Sequence, residues 1–312
     1  MEFHCELYEL LVCVVTIGIV CLFGLAGNIT SFFVLLKHST DKVTIFMLQA
    51  ICVSDTLLLF ASIVMYVLPT IEKHFFGPRS AIEEVPSYVI HVWPFAMMAH
   101  TMTIWVTVLV TFTRFRAMCT PHQYKKQTQK EIISKVFLVA VLSALFNLPR
   151  FFEHREISFP GGTNTTLDPV NLGDSKIYQV LYSNVAYFLV MYIIPLVSLF
   201  GMNTKLIRAL KDFRRKRSRL IHAVSTQDPV NKDHVTTPAL VNQIFWAALT
   251  SSQRECGHFH FYYTKFSDVL VVSNSACNII IYCMAGKSFR LLFKQELFSR
   301  CCKSSEGGVT RV

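Results

Sequence analysis

Six apolar runs in this chain are each long enough to cross a bilayer, and a seventh, just before the last, stops about half-way. A hydrocarbon core about 30 Å thick takes roughly 20 helical residues. Leu10 to Leu36, Val43 to Pro69, Tyr88 to Phe112, Tyr178 to Leu206 and Phe266 to Ala285 meet that length, and Ile132 to Pro149 is at its short end, uncharged after Lys135. Between Leu206 and Phe266 the only apolar block is Pro238 to Leu249. At about a dozen residues it is nearer the length of a re-entrant or buried segment.

The rest of the composition agrees with a membrane protein: 16% of residues are charged, where soluble domains carry about 25%. The formal charge of +10 does not point to nucleic acid, because the cations sit in alternate loops. Lys37, Lys42, Arg116, Lys125, Lys126 and Lys130, the run from Arg208 to Arg219, then Lys287, Arg290 and Lys294 mark the cytoplasmic side. The opposite loops carry Glu2, Glu6, Glu9, Glu72, Glu83 and Glu84, which places the N-terminus outside. Asn164-Thr165-Thr166, a glycosylation acceptor in the loop between the fourth and fifth spans, falls on that same outer side. No cleavable signal peptide is expected: the acidic start lacks a basic region, and Leu10 to Leu36 is too long for a signal core.

An outer N-terminus and an inner basic tail require an odd number of crossings, so either the half segment crosses or the last span enters inverted; a strained seven-span arrangement is the preferred reading. The expected fold is an all-α integral membrane bundle of seven helices with a short sixth span. Residues 1–9 form the outer terminus, and 10–286 the bundle, with spans at about 10–36, 43–69, 88–112, 132–149, 178–206, 235–250 and 266–285. Residues 287–312 form an amphipathic helix and cytoplasmic tail.

Of ten cysteines, only Cys5 and Cys256 can face the oxidising side, either paired or as two thiols. Cys301 and Cys302 follow an apolar stripe of Phe289, Leu292, Phe293 and Phe298, which suits S-acylation beside an interfacial helix or two free thiols. Thr310-Arg311-Val312 has the form of a PDZ ligand that adds as a strand. Arg208 to Arg219 reads as a helix end facing lipid phosphates, or as a G protein contact. His258-Phe259-His260 lacks further ligands for a metal, and no cofactor is expected.

Polar residues within spans are costly and mark functional sites by default. Asn28 and Asp55 lie mid-span, and Asn274, Ser275 and Asn278 share a face of the last span at helical spacing. An isolated Asp55 carboxylate would be expensive in hydrocarbon; grouped with those amides and a sodium ion or proton it becomes tolerable. The alternative is interhelical hydrogen bonding that holds the bundle together.

Gly27-Asn28, Asp55, Thr113-Arg114-Phe115, Pro195, Pro238 and Asn274 through Asn278 to Tyr282 stand in one order at matching depths. This set resembles the ordered signatures of rhodopsin-like G protein-coupled receptors. Thr107 to Thr111, Cys119-Thr120-Pro121 and Asn147-Leu148-Pro149-Arg150-Phe151-Phe152-Glu153 are similar, more narrowly, to invertebrate FMRFamide-type peptide receptors, particularly nematode ones. The resemblance implies an amidated peptide ligand and a heterotrimeric G protein partner; no enzymatic activity is expected, because no nucleophile with its base and no metal-ligand set occurs at a shared depth. A C-terminal Arg-Phe-amide needs carboxylates for its guanidinium and aromatic rings for its phenyl group. Glu153, Glu156 and Asp268 are the candidate carboxylates, and Trp93, Trp105, Tyr182, Phe245 and Trp246 the candidate rings, with Gln243 and Asn242 for the terminal amide. Each also reads as a solvated charge or ordinary packing.

By the same resemblance Arg114 reaches into the bundle, and Tyr282 swings beneath it on activation. Thr113 replaces the acidic residue that ordinarily precedes the arginine, and Ile279 the proline after Asn278. The usual outer cysteine pair is missing. Upstream of Pro238 the polar stretch Asn231 to Thr237 replaces the inner half of span six, the half that tilts outward in family members. Three readings follow: a signalling peptide receptor, a non-signalling decoy or dimer partner, and, more distantly, a transporter.

Overall fold

The computed structural model describes residues 2–37, 42–76, 86–120, 127–158, 165–169, 175–221 and 259–280. The short sixth span with Pro238, Gln243 and Trp246 lies outside them, as do Asn164, Tyr282, Cys301 and Cys302, while of Cys5 and Glu156 only the backbone is described.

Five helices among the described residues are long and apolar enough to cross a membrane. They are α1 (Glu6–Lys37), α2 (Lys42–Phe75), α3 (Tyr88–Cys119), α4 (Gln129–Phe152) and α5 (Lys176–Lys211). A sixth, α6 (Phe259–Ala276), belongs to the last apolar run; Cys277 forms a turn, and residues 278–280 are helical again. The helices outrun the apolar stretches because each continues through its polar flank. Thr128 caps α4 by accepting a hydrogen bond from the Glu131 amide, satisfying one of the donors that a helix start leaves open.

The apolar surface is turned outward. Leu22, Phe60, Phe137 and Phe200 are all more than half exposed, as expected where lipid and not water is the surrounding medium. Buried positions instead include Asn28, Ser31, Ser54, Asp55, Thr101, Thr103 and Asn147. The central helix is α2, 56% of whose apolar window is enclosed, against 17% for α5.

Close approach of α1 to α6 depends on glycine. A Cβ on Gly24 would lie 2.7 Å from both the Ala276 Cβ and a Leu59 methyl, and one on Gly27 would lie 2.9 Å from an Ile279 methyl. Small residues at such seams let backbones meet and gain dispersion energy where no hydrophobic force separates helix from lipid.

Two prolines locally widen their helices. Pro69 follows a π-helical stretch at Ile63–Val67, and Pro195 follows two, Gln179–Ala186 and Leu189–Ile193. Proline lacks an N–H and its ring crowds the carbonyl four residues back; wider i→i+5 bonding upstream accommodates both effects. Nothing in the sequence accounts for a further π stretch at Leu10–Ile17.

One departure from an all-helical expectation is the connection between α4 and α5. There β1 (His154–Ser158) pairs antiparallel with β2 (Thr165–Pro169), Glu156 opposite Leu167. This hairpin marks one end of the bundle; Arg114 marks the other.

Candidate functional site

Two polar sites occupy the bundle at different depths. The deeper is built around Asp55, which is fully buried on α2. Thr103 on α3 donates to its Oδ1 at 3.0 Å and also shares a 2.7 Å hydrogen bond with Ser54. The Asn278 amide donates to Oδ2. From α1, Asn28 Nδ2 donates to the Ser275 carbonyl at 3.0 Å, while its Oδ1 is buried without a partner among the described residues. The carboxylate thereby joins α2, α3 and the segment at Asn278, and the Asn28–Ser275 bond ties α1 to α6 beside it.

Asn274 does not join this cluster: it is exposed, whereas Ser275 is buried. Successive helical residues turn by about 100°, which carries Asn274 off the face on which Ser275 is buried.

The second site is a cavity of about 430 Å³ toward the hairpin end, a volume within the usual range for ligand pockets. Its wall includes Tyr66 of α2, Trp93, Met97 and His100 of α3, Arg150, Tyr187 and Tyr192 of the α4 end and α5, and Asp268 of α6. Tyr66 donates to Asp268 Oδ1 at 3.2 Å, and Oδ2 makes no hydrogen bond among the described residues.

Arg150 enters by a sharp local turn. Asn147 donates to Thr101 Oγ1 at 2.9 Å and to the Ser143 carbonyl at 2.8 Å, anchoring the last regular turn of α4. Pro149 then starts a 3-10 turn, Leu148–Phe152, that directs Arg150 inward. Its guanidinium lies 4.7 Å from the Tyr187 ring centroid and 3.8 Å from Glu153. Cation–π attraction strengthens when the cation is desolvated, and Arg150 is 7% exposed.

Of the residues picked from sequence, Trp93 and Asp268 line the cavity; Trp105, Glu153 and Tyr182 do not. Glu153 is buried, accepting a 2.8 Å hydrogen bond from Tyr178 and facing Arg150. Tyr182 stacks on Tyr178 at 4.9 Å and donates to the Phe146 carbonyl. Trp105 sits deeper on α3, towards Arg114. His100, Arg150, Tyr66, Tyr187 and Tyr192 were missed; a buried histidine in an apolar run was the readable signal for His100.

Above the cavity, Glu9 of α1 ties three helices together. Its Oε1 is 3.2 Å from Lys265 Nζ on α6, and its Oε2 is 3.0 Å from Lys73 Nζ on α2. Beside it the Tyr8 and Tyr262 rings meet edge to face at 4.8 Å. At the opposite end Arg114 is exposed with no ion pair among the described residues, and Thr113 turns its hydroxyl to the Leu109 carbonyl at 2.8 Å. Pro195 is buried in α5.

Membrane-length apolar helices with a polar midplane and a cavity among them define a multi-pass helical membrane protein. The family model described as serpentine type 7TM GPCR chemoreceptor Srx matches residues 19–225, well over half of the chain, and the chain belongs to that G protein-coupled receptor family.

Similar proteins include the FMRFamide receptor of Drosophila melanogaster, 29% identical over 306 residues, which cover 94% of this chain and 55% of that protein. FMRFamide peptide receptor frpr-18 of Caenorhabditis elegans is 24% identical over 315 residues, covering 95% and 71%. Probable G-protein coupled receptor frpr-1 of the same nematode is 22% identical over 321 residues, covering 91% and 78%. This chain therefore spans about half the length of the Drosophila receptor it matches, and its resemblance to FMRFamide-type receptors holds along nearly all of its own length.

Proposed function

We propose that this chain is a receptor for an amidated neuropeptide of the FMRFamide class, placed in the plasma membrane with residues 1–9 outside and the basic tail inside, where it carries peptide binding to a heterotrimeric G protein. The observation that carries the reading is Asp268, whose carboxylate faces an aromatic cavity with one oxygen bonded to Tyr66 and the other open to a ligand. A guanidinium fits that carboxylate with a charge-assisted hydrogen bond, and Trp93 and Tyr192 offer rings for a phenyl group or the cation itself. Arg150 does not oppose this reading, since Glu153 and two tyrosine rings compensate its charge. Names of the Drosophila and nematode relatives support the peptide class, and family membership supports the G protein.

At the other end, Arg114, Pro195, Pro238 and Tyr282 take the signalling roles assigned on sequence. A sodium ion or a proton on Asp55 fits the midplane cluster, where a carboxylate lies among hydroxyl and amide groups and the Asn28 oxygen has no partner among the described residues. A second reading, that the chain binds peptide without signalling, is favoured by the polar stretch Asn231 to Thr237 in place of the inner half of span six.

The test is binding of fluorescent Phe-Met-Arg-Phe-amide to intact cells, beside an analogue with citrulline for arginine. Asp268→Asn is expected to weaken the arginine peptide about 30-fold or more, the cost of stripping a buried charge of its partner, and to leave the citrulline peptide nearly unchanged. Equal binding of the arginine peptide to both receptors would sink the assignment. Peptide-evoked G protein activation in the same cells separates a signalling receptor from a decoy.

A further inference from the structure

We propose that Glu9 is a positioning residue for the ligand's counter-charge: by holding the Lys265 ammonium to one side, it keeps the Asp268 carboxylate open to a cationic group of the ligand. The inference rests on the reading of Asp268 given above and adds to it a residue that touches no ligand.

Lys265 and Asp268 are three residues apart on α6, the spacing that puts two side chains on one helix face within reach of each other. Lysine carries its charge on a flexible four-carbon stem, so its ammonium can turn either to Glu9 or to Asp268. In the structure it is at Glu9, 3.2 Å away. Asp268 instead takes a neutral donor, the Tyr66 hydroxyl, on one oxygen only.

Glu9 is held at this junction from two sides. Lys73 engages its second oxygen at 3.0 Å. The neighbouring Tyr8 hydroxyl donates to the Tyr262 carbonyl at 3.4 Å, pinning the end of α1 against α6 one turn before Lys265.

Glu9 and Asp268 both attract the Lys265 ammonium. Without the Glu9 charge, Asp268 is the carboxylate that still attracts it among the described residues. Opposite charges a few ångströms apart attract more strongly at low effective dielectric than in water, so Lys265 moves onto Asp268. An incoming guanidinium must then displace an internal cation and also meet a positive local field. A neutral ligand meets neither obstacle.

The experiment measures affinity of the arginine and citrulline peptides, by displacement of the fluorescent peptide on intact cells, for wild type, Glu9→Gln, Lys265→Met, the double variant and Asp268→Asn, with surface amount read from an N-terminal tag. Glu9→Gln is expected to weaken the arginine peptide about tenfold and the citrulline peptide hardly at all, and the double variant to return the arginine peptide to near wild-type affinity. Equal affinity of Glu9→Gln and wild type overturns the proposal. So does an equal loss for both peptides, which marks a merely structural role, and so does failure of Lys265→Met to rescue. An unchanged arginine affinity in Asp268→Asn, or no binding to wild type, instead overturns the assignment of Asp268 on which this proposal stands.

Discussion

Asp55 and Asp268 are the same side chain in two settings. Asp55 is sealed from every surface, and both of its oxygens accept hydrogen bonds from neighbouring helices. Asp268 borders a cavity and has one oxygen bonded. A carboxylate whose acceptor sites are filled by its own protein works as a joint between helices. One with an open oxygen, in a site that excludes bulk water, works as a receptor for donors from elsewhere. Depth alone does not separate the two roles; the number of internal donors does.

Breaking the joint's frame has the largest expected effect. Gly24→Val forces α1 away from Ala276 and Leu59, and with it the Asn28 bond to Ser275; surface labelling of a tagged receptor should fall to background. Asp55→Leu comes next. It leaves the Asn278 amide without its acceptor, at about 1–3 kcal/mol for a buried donor, and should reduce detergent-extracted, monodisperse receptor several-fold while Asp55→Asn preserves most of it. Thr103→Val removes one bond to the same carboxylate and is expected to cost about 1 kcal/mol, read as a fall of a few degrees in thermal unfolding with peptide affinity unchanged. Tyr66→Phe sharpens the contrast from the other side: it frees the second oxygen of Asp268, and arginine-peptide affinity should change by less than about threefold. A tenfold loss there would mean that the tyrosine orients the carboxylate.

The midplane cluster was legible in sequence because hydrocarbon makes any polar residue conspicuous: Asn28, Asp55 and Asn278 stand out in apolar runs. Asn274 was just as conspicuous and misled, since it lies about 100° round the helix from the buried Ser275, at the edge of the polar face and not in it. The cavity was half legible. Asp268 and Trp93 announced themselves by residue type, but Arg150 and Glu153 were close in sequence and only the 3-10 turn after Pro149 decided which of them lines the cavity wall. The hairpin was not read from sequence, because His154 to Ser158 and Thr165 to Pro169 show no clear alternation, although Pro160-Gly161-Gly162 between them is a turn signal. Neither was Glu9, which read as one acidic residue among several ahead of the first span until the fold brought it to Lys73 and Lys265.

Five members of the cavity wall sit on widened backbone: Met65 and Tyr66 within Ile63–Val67, Ser183 and Asn184 within Gln179–Ala186, and Tyr192 within Leu189–Ile193. Each extra residue in a turn advances the helix by about 100° relative to regular winding. The composition of the wall is therefore a matter of phase as well as of residue identity. Losing a single residue upstream of Pro69 or Pro195 would rotate a different column of side chains into the cavity while leaving the Arg114 end in register. A lineage of such receptors can thus acquire a new chemical preference by one codon's deletion, without replacing any residue that the old ligand touched.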